Sequence, residues 1–223
     1  MRNLSTVKRY STGEEIASAV SHGIGACLSV VATITLVVKI LQTVPAGLKG
    51  SYLGGCIVYG ISLVVLYTSS TLYHALTHPS VKTIFGILDH GSIYLLIAGT
   101  YTAYCLTALQ GPLGWIILTV IWTIALTGIS CYAVFGARMR RLSAITYIPM
   151  GLIITLWWEP VKSGLLAVSG SNASWHLLLM GGACYIGGMV FYAMKKVRWT
   201  HAIWHLFVIA GSTLHFLSIY RSF

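Results

Sequence analysis

The stretch WTHAIWHLFVIAGSTLHFLSIY, residues 199–220, is long and apolar enough to cross a bilayer as one helix, yet it carries three histidines. His201 and His205 stand four residues apart, so on a helix their imidazoles lie one above the other on a single face. Two imidazoles in that register form a two-toothed clamp for zinc. Polar side chains inside hydrocarbon are costly and mark functional positions. Two nitrogens do not complete a metal site, so further ligands must come from elsewhere in the chain.

Composition sets the frame. Of 223 residues, 57% are hydrophobic and 8% charged, with a mean hydropathy of +0.82. Such a chain is an all-α, multi-pass membrane protein. At about twenty apolar residues per crossing it has room for roughly seven helices, which makes residues 1–223 one membrane domain. Arg2, Lys8 and Arg9 lead into Glu14 and Glu15 without a short apolar core or a small-residue cleavage site, so no cleavable signal is expected. The five cysteines, Cys27, Cys56, Cys105, Cys131 and Cys184, show no CxxC spacing and read as small packing residues. A net charge of +10 is spread over the loops, which points to anionic lipid head groups and topology control, not to nucleic acid. No glycine-rich run leads into the Lys-Ser/Thr pair that a phosphate cradle needs.

Seven spans are expected, at about 17–41, 51–76, 83–108, 113–135, 142–159, 174–194 and 199–221. The fifth contains Pro149, which predicts a kink. A loop at 160–173 should follow it, flanked by Trp157, Trp158 and Trp175 as interface anchors. Ten of the fourteen basic residues fall in the N-terminal tail and the even loops: Arg2, Lys8, Arg9, Lys82, Arg138, Arg140, Arg141, Lys195, Lys196 and Arg198. Lys39, Lys49, Lys162 and Arg221 fall on the other side. The asymmetry predicts a cytoplasmic N-terminus and an external C-terminus in the cell membrane, the inner membrane in a Gram-negative cell.

Depth then groups the polar residues. His74 lies near the cytoplasmic end of the second span, with Ser70 one turn deeper on the same face. Asp89 enters the third span by roughly 10 Å, and His201 and His205 enter the seventh by roughly 3 and 9 Å. Three imidazoles with a carboxylate or water form a zinc site of the open, catalytic kind. Asp89 is then either a fourth ligand or, through water, a general base, and Ser70 orients a ligand or donates to a developing oxyanion. The alternative is a buried polar network of the histidines, Asp89 and backbone carbonyls. His22 and Glu15, at the same end of the first span, are expected to support this layer and not to ligate. His90 points about 100° away from Asp89 around the helix and is read as non-ligating. His215, about 15 Å deeper than His205, is expected to line the bundle interior. His78, His176 and Glu159 sit at span ends.

Several motifs together resemble a known family. They are Glu15 with Ser21-His22-Gly23, Ser70-Thr71-Leu72-Tyr73-His74, Leu88-Asp89-His90 running on to Gly99-Thr100-Tyr101-Thr102, and His201 to His205 with Gly211-Ser212 and His215-Phe216. The combination is similar to the hemolysin III family, which groups with the progestin and adipoQ receptors and, more distantly, the alkaline ceramidases. The resemblance implies seven helices, a cytoplasmic N-terminus and a zinc ion held by His74, His201 and His205, with Asp89 engaging the metal through water and Ser70 beside it. Ser18 and Ala103 depart from residues common in that family, Asn and Pro respectively, and neither coincides with an implied ligand.

Three functions compete at this point. One is a zinc-dependent hydrolase of a lipid amide or ester within the membrane, serving lipid homeostasis. The second is a cytolytic membrane protein, which the family name suggests and seven resident spans favour little. The third is a membrane sensor or receptor in which zinc is structural.

Overall fold

The computed structural model describes residues 10–223. Arg2, Lys8 and Arg9, which enter the charge count above, lie outside the described residues. The order of helices is α1 (Thr12–Thr43), α2 (Ala46–Ala75), α3 (Pro79–Thr107), α4 (Pro112–Phe135), α5 (Arg140–Leu152), α6 (Trp158–Ser169), α7 (Ala173–Ala193) and α8 (Thr200–Tyr220), with no strand among the described residues. Seven membrane-length apolar helical spans result, α5 and α6 together forming the fifth.

The faces of α1 invert the pattern of a soluble helix. Glu14, Ser18, His22, Gly25 and Ser29 are buried, while Ile16, Val20, Ile24, Leu28, Val31 and Ile34 are exposed. Small and polar residues at i, i+3 and i+4 face protein and aliphatic ones face outward, the arrangement a lipid solvent selects. Small residues also set the helix spacing. A Cβ on Gly99 of α3 would collide with the Ser62 Oγ of α2, and one on Gly25 of α1 would stand 2.9 Å from the Tyr67 ring of α2.

Helices α1, α2, α3 and α4 pack in succession, α8 lies on the other side of α1, and α7 packs on α8. Both ends of α1 are tied to α8. At one end Glu14 Oε1 accepts the Trp199 N–H at 2.7 Å. At the other, Lys39 Nζ donates to the Tyr220 carbonyl and lies 3.8 Å above the Tyr220 ring. The starts of α1, α3 and α8 and the end of α2 therefore share one end of the bundle.

The fifth span departs from expectation. The helix breaks after Leu152 into a 3₁₀ turn over Ile153–Trp157, and α6 then runs to Ser169, so the stretch expected as a loop is mostly helical. Pro149 has no N–H to donate and disrupts the ladder just ahead of the break. The Tyr101 hydroxyl repairs part of the loss, lying 3.0 Å from the carbonyls of Met150 and Gly151 and accepting the Ile154 N–H at 2.8 Å. Beyond the break, Glu159 and Pro160 occupy the first turn of α6, a position that suits both an acidic side chain and a proline. Trp158 and Trp175 meet edge to face, with ring centroids 4.5 Å apart.

Candidate metal centre

The end of α2 and the start of α8 bring three imidazoles together. His201 Nε2 lies 3.3 Å from His74 Nε2 and 3.2 Å from His205 Nε2, so the three side chains can hold one metal ion between them. His74 and His205 are 4% and 2% exposed, which places two of the three donors out of solvent.

The outer nitrogens decide which way the lone pairs point. His74 Nδ1 is 2.6 Å from Glu15 Oε2, and Glu15 Oε1 in turn accepts from Lys82 Nζ at 2.9 Å. His205 Nδ1 is 3.2 Å from the Ser18 carbonyl oxygen. Carboxylate and carbonyl oxygens accept only, so both Nδ1 atoms carry the proton and both Nε2 atoms present lone pairs to the shared space. A neutral His201 can offer one proton at most. At least one of the two N···N contacts then sets lone pair against lone pair, and a cation at the centre relieves that repulsion.

Aromatic contacts hold the ring planes. Tyr10 stacks on His201 with centroids 4.5 Å apart and planes 15° from parallel. His22 stacks on His205 at 3.7 Å and meets Tyr67 edge-on at 4.9 Å. Both nitrogens of His22 are buried without a hydrogen-bond partner, so its role here is contact with the His205 ring.

Asp89 and Ser70 do not join the three-histidine cluster directly. With His22, Tyr192, His201 and His205 they line a cavity of about 30 Å³ beside it. The Ser70 Oγ is buried and makes no hydrogen bond. His90 Nδ1 donates to the Gly86 carbonyl at 3.0 Å and lies 3.3 Å from Asp89 Oδ2, while its ring stacks on Tyr132. The small cavity shares Leu66, Ile93, Trp204 and Val208 with a second, apolar cavity of about 140 Å³. Thus a small chamber with polar groups in its wall adjoins a larger, greasier one deeper in the bundle.

Spacing alone could not supply the Ser18 carbonyl, the Tyr10 ring or the Glu14 tie to α8. One signal for the last was readable: Ser11 and Glu14 have the spacing of a capping box. In the structure Glu14 Oε2 accepts from the Ser11 N–H at 2.9 Å, which leaves Oε1 for Trp199.

Known proteins resemble the chain along most of its length. A family model described as "Haemolysin-III related" matches residues 10–216. The chain is 43% identical over 206 residues to Hemolysin-3 of Bacillus cereus, covering 92% of this chain and 90% of that one. It is 39% identical over 210 residues to a Hemolysin-3 homolog of Bacillus subtilis (strain 168), covering 94% of each. A more distant likeness, 27% over 172 residues, is to the human monocyte to macrophage differentiation factor, covering 74% of this chain and 68% of that one. Matched along nearly its whole length and built of seven membrane-length spans, the chain belongs to the haemolysin-III related family of multi-pass membrane proteins.

Proposed function

We propose that the protein is a zinc-dependent hydrolase of a lipid amide or ester, resident in the cell membrane with its N-terminus and histidine centre on the cytoplasmic side, and acting in membrane lipid homeostasis. The observation that carries this reading is the convergence of three Nε2 atoms beside a cavity lined by Asp89 and Ser70, which adjoins an apolar one. Zinc suits the donor set. Two of the three separations, 3.2 and 3.3 Å, are close to the roughly 3.3 Å between nitrogens on a tetrahedral ion, and all three donor atoms lie within 4.8 Å of one another. When bound, zinc supplies a Lewis acid that polarises a carbonyl and eases the ionisation of water.

The chain's own residues then divide the work. His74, His201 and His205 hold the ion, and Glu15 and Ser18 hold two of those rings. Asp89 accepts the proton of the attacking water, with His90 steadying its carboxylate. Ser70, whose hydroxyl is otherwise unengaged, donates to the oxygen that becomes negative. The apolar cavity receives the lipid chain.

Elemental analysis of the purified full-length protein and of His205→Ala, followed by a panel of lipid amides and esters, tests the reading. It requires about one zinc per chain in wild type, loss of that zinc in His205→Ala, and turnover that Asp89→Asn abolishes. Turnover of the same lipids by Asp89→Asn at the wild-type rate would sink it, and metal without turnover of any lipid would favour the sensor reading. The name of the Bacillus cereus relative, Hemolysin-3, supports one further alternative, membrane lysis. Dye release from liposomes by wild type and His205→Ala alike would favour lysis over hydrolysis.

A further inference from the structure

The apolar cavity is not uniformly apolar, and its polar atoms are unequal. Thr100 donates to the Leu96 carbonyl, Tyr147 to the His90 carbonyl, and the Tyr185 hydroxyl pairs with Ser212 Oγ, so these lining groups are occupied. One lining residue keeps a buried nitrogen without a hydrogen bond, His215 at Nδ1, whereas the Tyr104 hydroxyl has the Ser218 side chain beside it.

The His215 ring is fixed by α7. Its Nε2 lies 3.1 Å from the Leu178 carbonyl oxygen, which can only accept, so Nε2 carries the proton. With no acidic partner in an apolar interior the ring is neutral, and Nδ1 is left as a bare acceptor. The Cδ2–Nε2 edge fills the space where a Cβ on Gly181 would stand, so the Nδ1 edge is turned away from α7. Tyr104 stands perpendicular to the ring, with centroids 6.3 Å apart. An unpaired acceptor thus belongs to a residue lining a chamber walled mostly by hydrocarbon.

We propose that His215 Nδ1 is the recognition point for a hydroxyl group carried on the apolar body of a long-chain lipid bound in this cavity. A hydroxyl donates to Nδ1, which a ketone, an ether or a plain methylene cannot do. The site lies about 15 Å along α8 from His205, so it reads the chain of the ligand and not its head. The inference concerns binding and stands whether or not the histidine centre hydrolyses anything.

Competitive displacement of a fluorescent fatty acid from the full-length protein in nanodiscs, corrected for partition into empty nanodiscs, tests it. The probes are ricinoleic acid, its deoxy parent oleic acid, and O-methyl ricinoleic acid, which keeps the oxygen but has no proton to donate. Wild type should favour ricinoleic acid about tenfold over both others, the size of one hydrogen bond to a buried acceptor. In His215→Phe the preference should vanish while oleic acid binds as before. Equal affinity of wild type for all three probes, or a preference that survives in His215→Phe, would overturn the proposal. Failure of the fluorescent chain to bind at all would overturn it too. The ether comparison needs no variant, so the proposal can fail even if His215→Phe does not fold.

Discussion

The Glu15 carboxylate links His74 to Lys82, with one oxygen 2.6 Å from His74 Nδ1 and the other 2.9 Å from Lys82 Nζ. Because that contact fixes the proton on Nδ1, it keeps the Nε2 lone pair turned toward the other two imidazoles. Glu15→Ala is expected to lower metal affinity about tenfold to a hundredfold, the usual effect of removing a group that orients a ligand histidine. Glu15→Gln should lose less, since an amide oxygen still accepts from Nδ1–H. Chelator competition on the purified protein measures both, and unchanged affinity in Glu15→Ala would remove this carboxylate from the centre.

His22 offers the three-histidine centre a ring face and no hydrogen bond. His22→Phe should therefore keep the metal, because the stack on His205 survives. His22→Ala opens a void beside His205 and should lower stability by about 3 kcal/mol, in the range for losing a buried ring. Metal content and thermal unfolding in detergent separate the two. Loss of metal in His22→Phe would show that its nitrogens matter.

Gly99 lets α3 approach α2 closely enough that its missing side chain would occupy the place of Ser62 Oγ. Gly99→Leu is expected to push the two helices apart and to cost about 1–3 kcal/mol or more through overpacking. Thermal stability in detergent is the measurement, with Gly47→Leu as control, because a Cβ there meets nothing within 4 Å.

Tyr101 holds the break in the fifth span through one hydroxyl shared among Met150, Gly151 and Ile154. Tyr101→Phe keeps the ring but leaves the Ile154 N–H without its partner, at a cost of about 1–3 kcal/mol. Hydrogen exchange should rise locally over 150–157 in this variant while α1 and α2 stay protected. Uniform protection would mean that the break does not depend on Tyr101.

Much of the fold was legible because lipid-exposed helices advertise themselves. A run of apolar residues long enough to span, with histidines at i and i+4, needs no tertiary knowledge to interpret. Depth put His74, Asp89, His201 and His205 in one layer once the spans were placed, without showing that their helices are neighbours. Depth cannot distinguish residues that share a layer, however. Asp89 and Glu15 both lie near that layer, yet the carboxylate against His74 Nδ1 is Glu15, while Asp89 lines the adjoining cavity. Nor does a sequence pattern reveal a backbone carbonyl such as that of Ser18 as a partner. The helix over 158–169 was missed because Pro160 and Gly164 read as loop residues, although proline is well tolerated in a first helical turn.

The three clustered histidines are made at different times. His74 leaves the ribosome 127 residues before His201, on the order of ten seconds earlier at about 5–20 residues per second. During that interval His74 of α2 has Glu15 of α1 to pair with but neither of the other two imidazoles, and α1 waits with Glu14 for a Trp199 not yet made. The centre is therefore assembled last. A metal ion held by these three side chains would clasp α2 to the final helix, so its retention would report that the last helix has been made and packed.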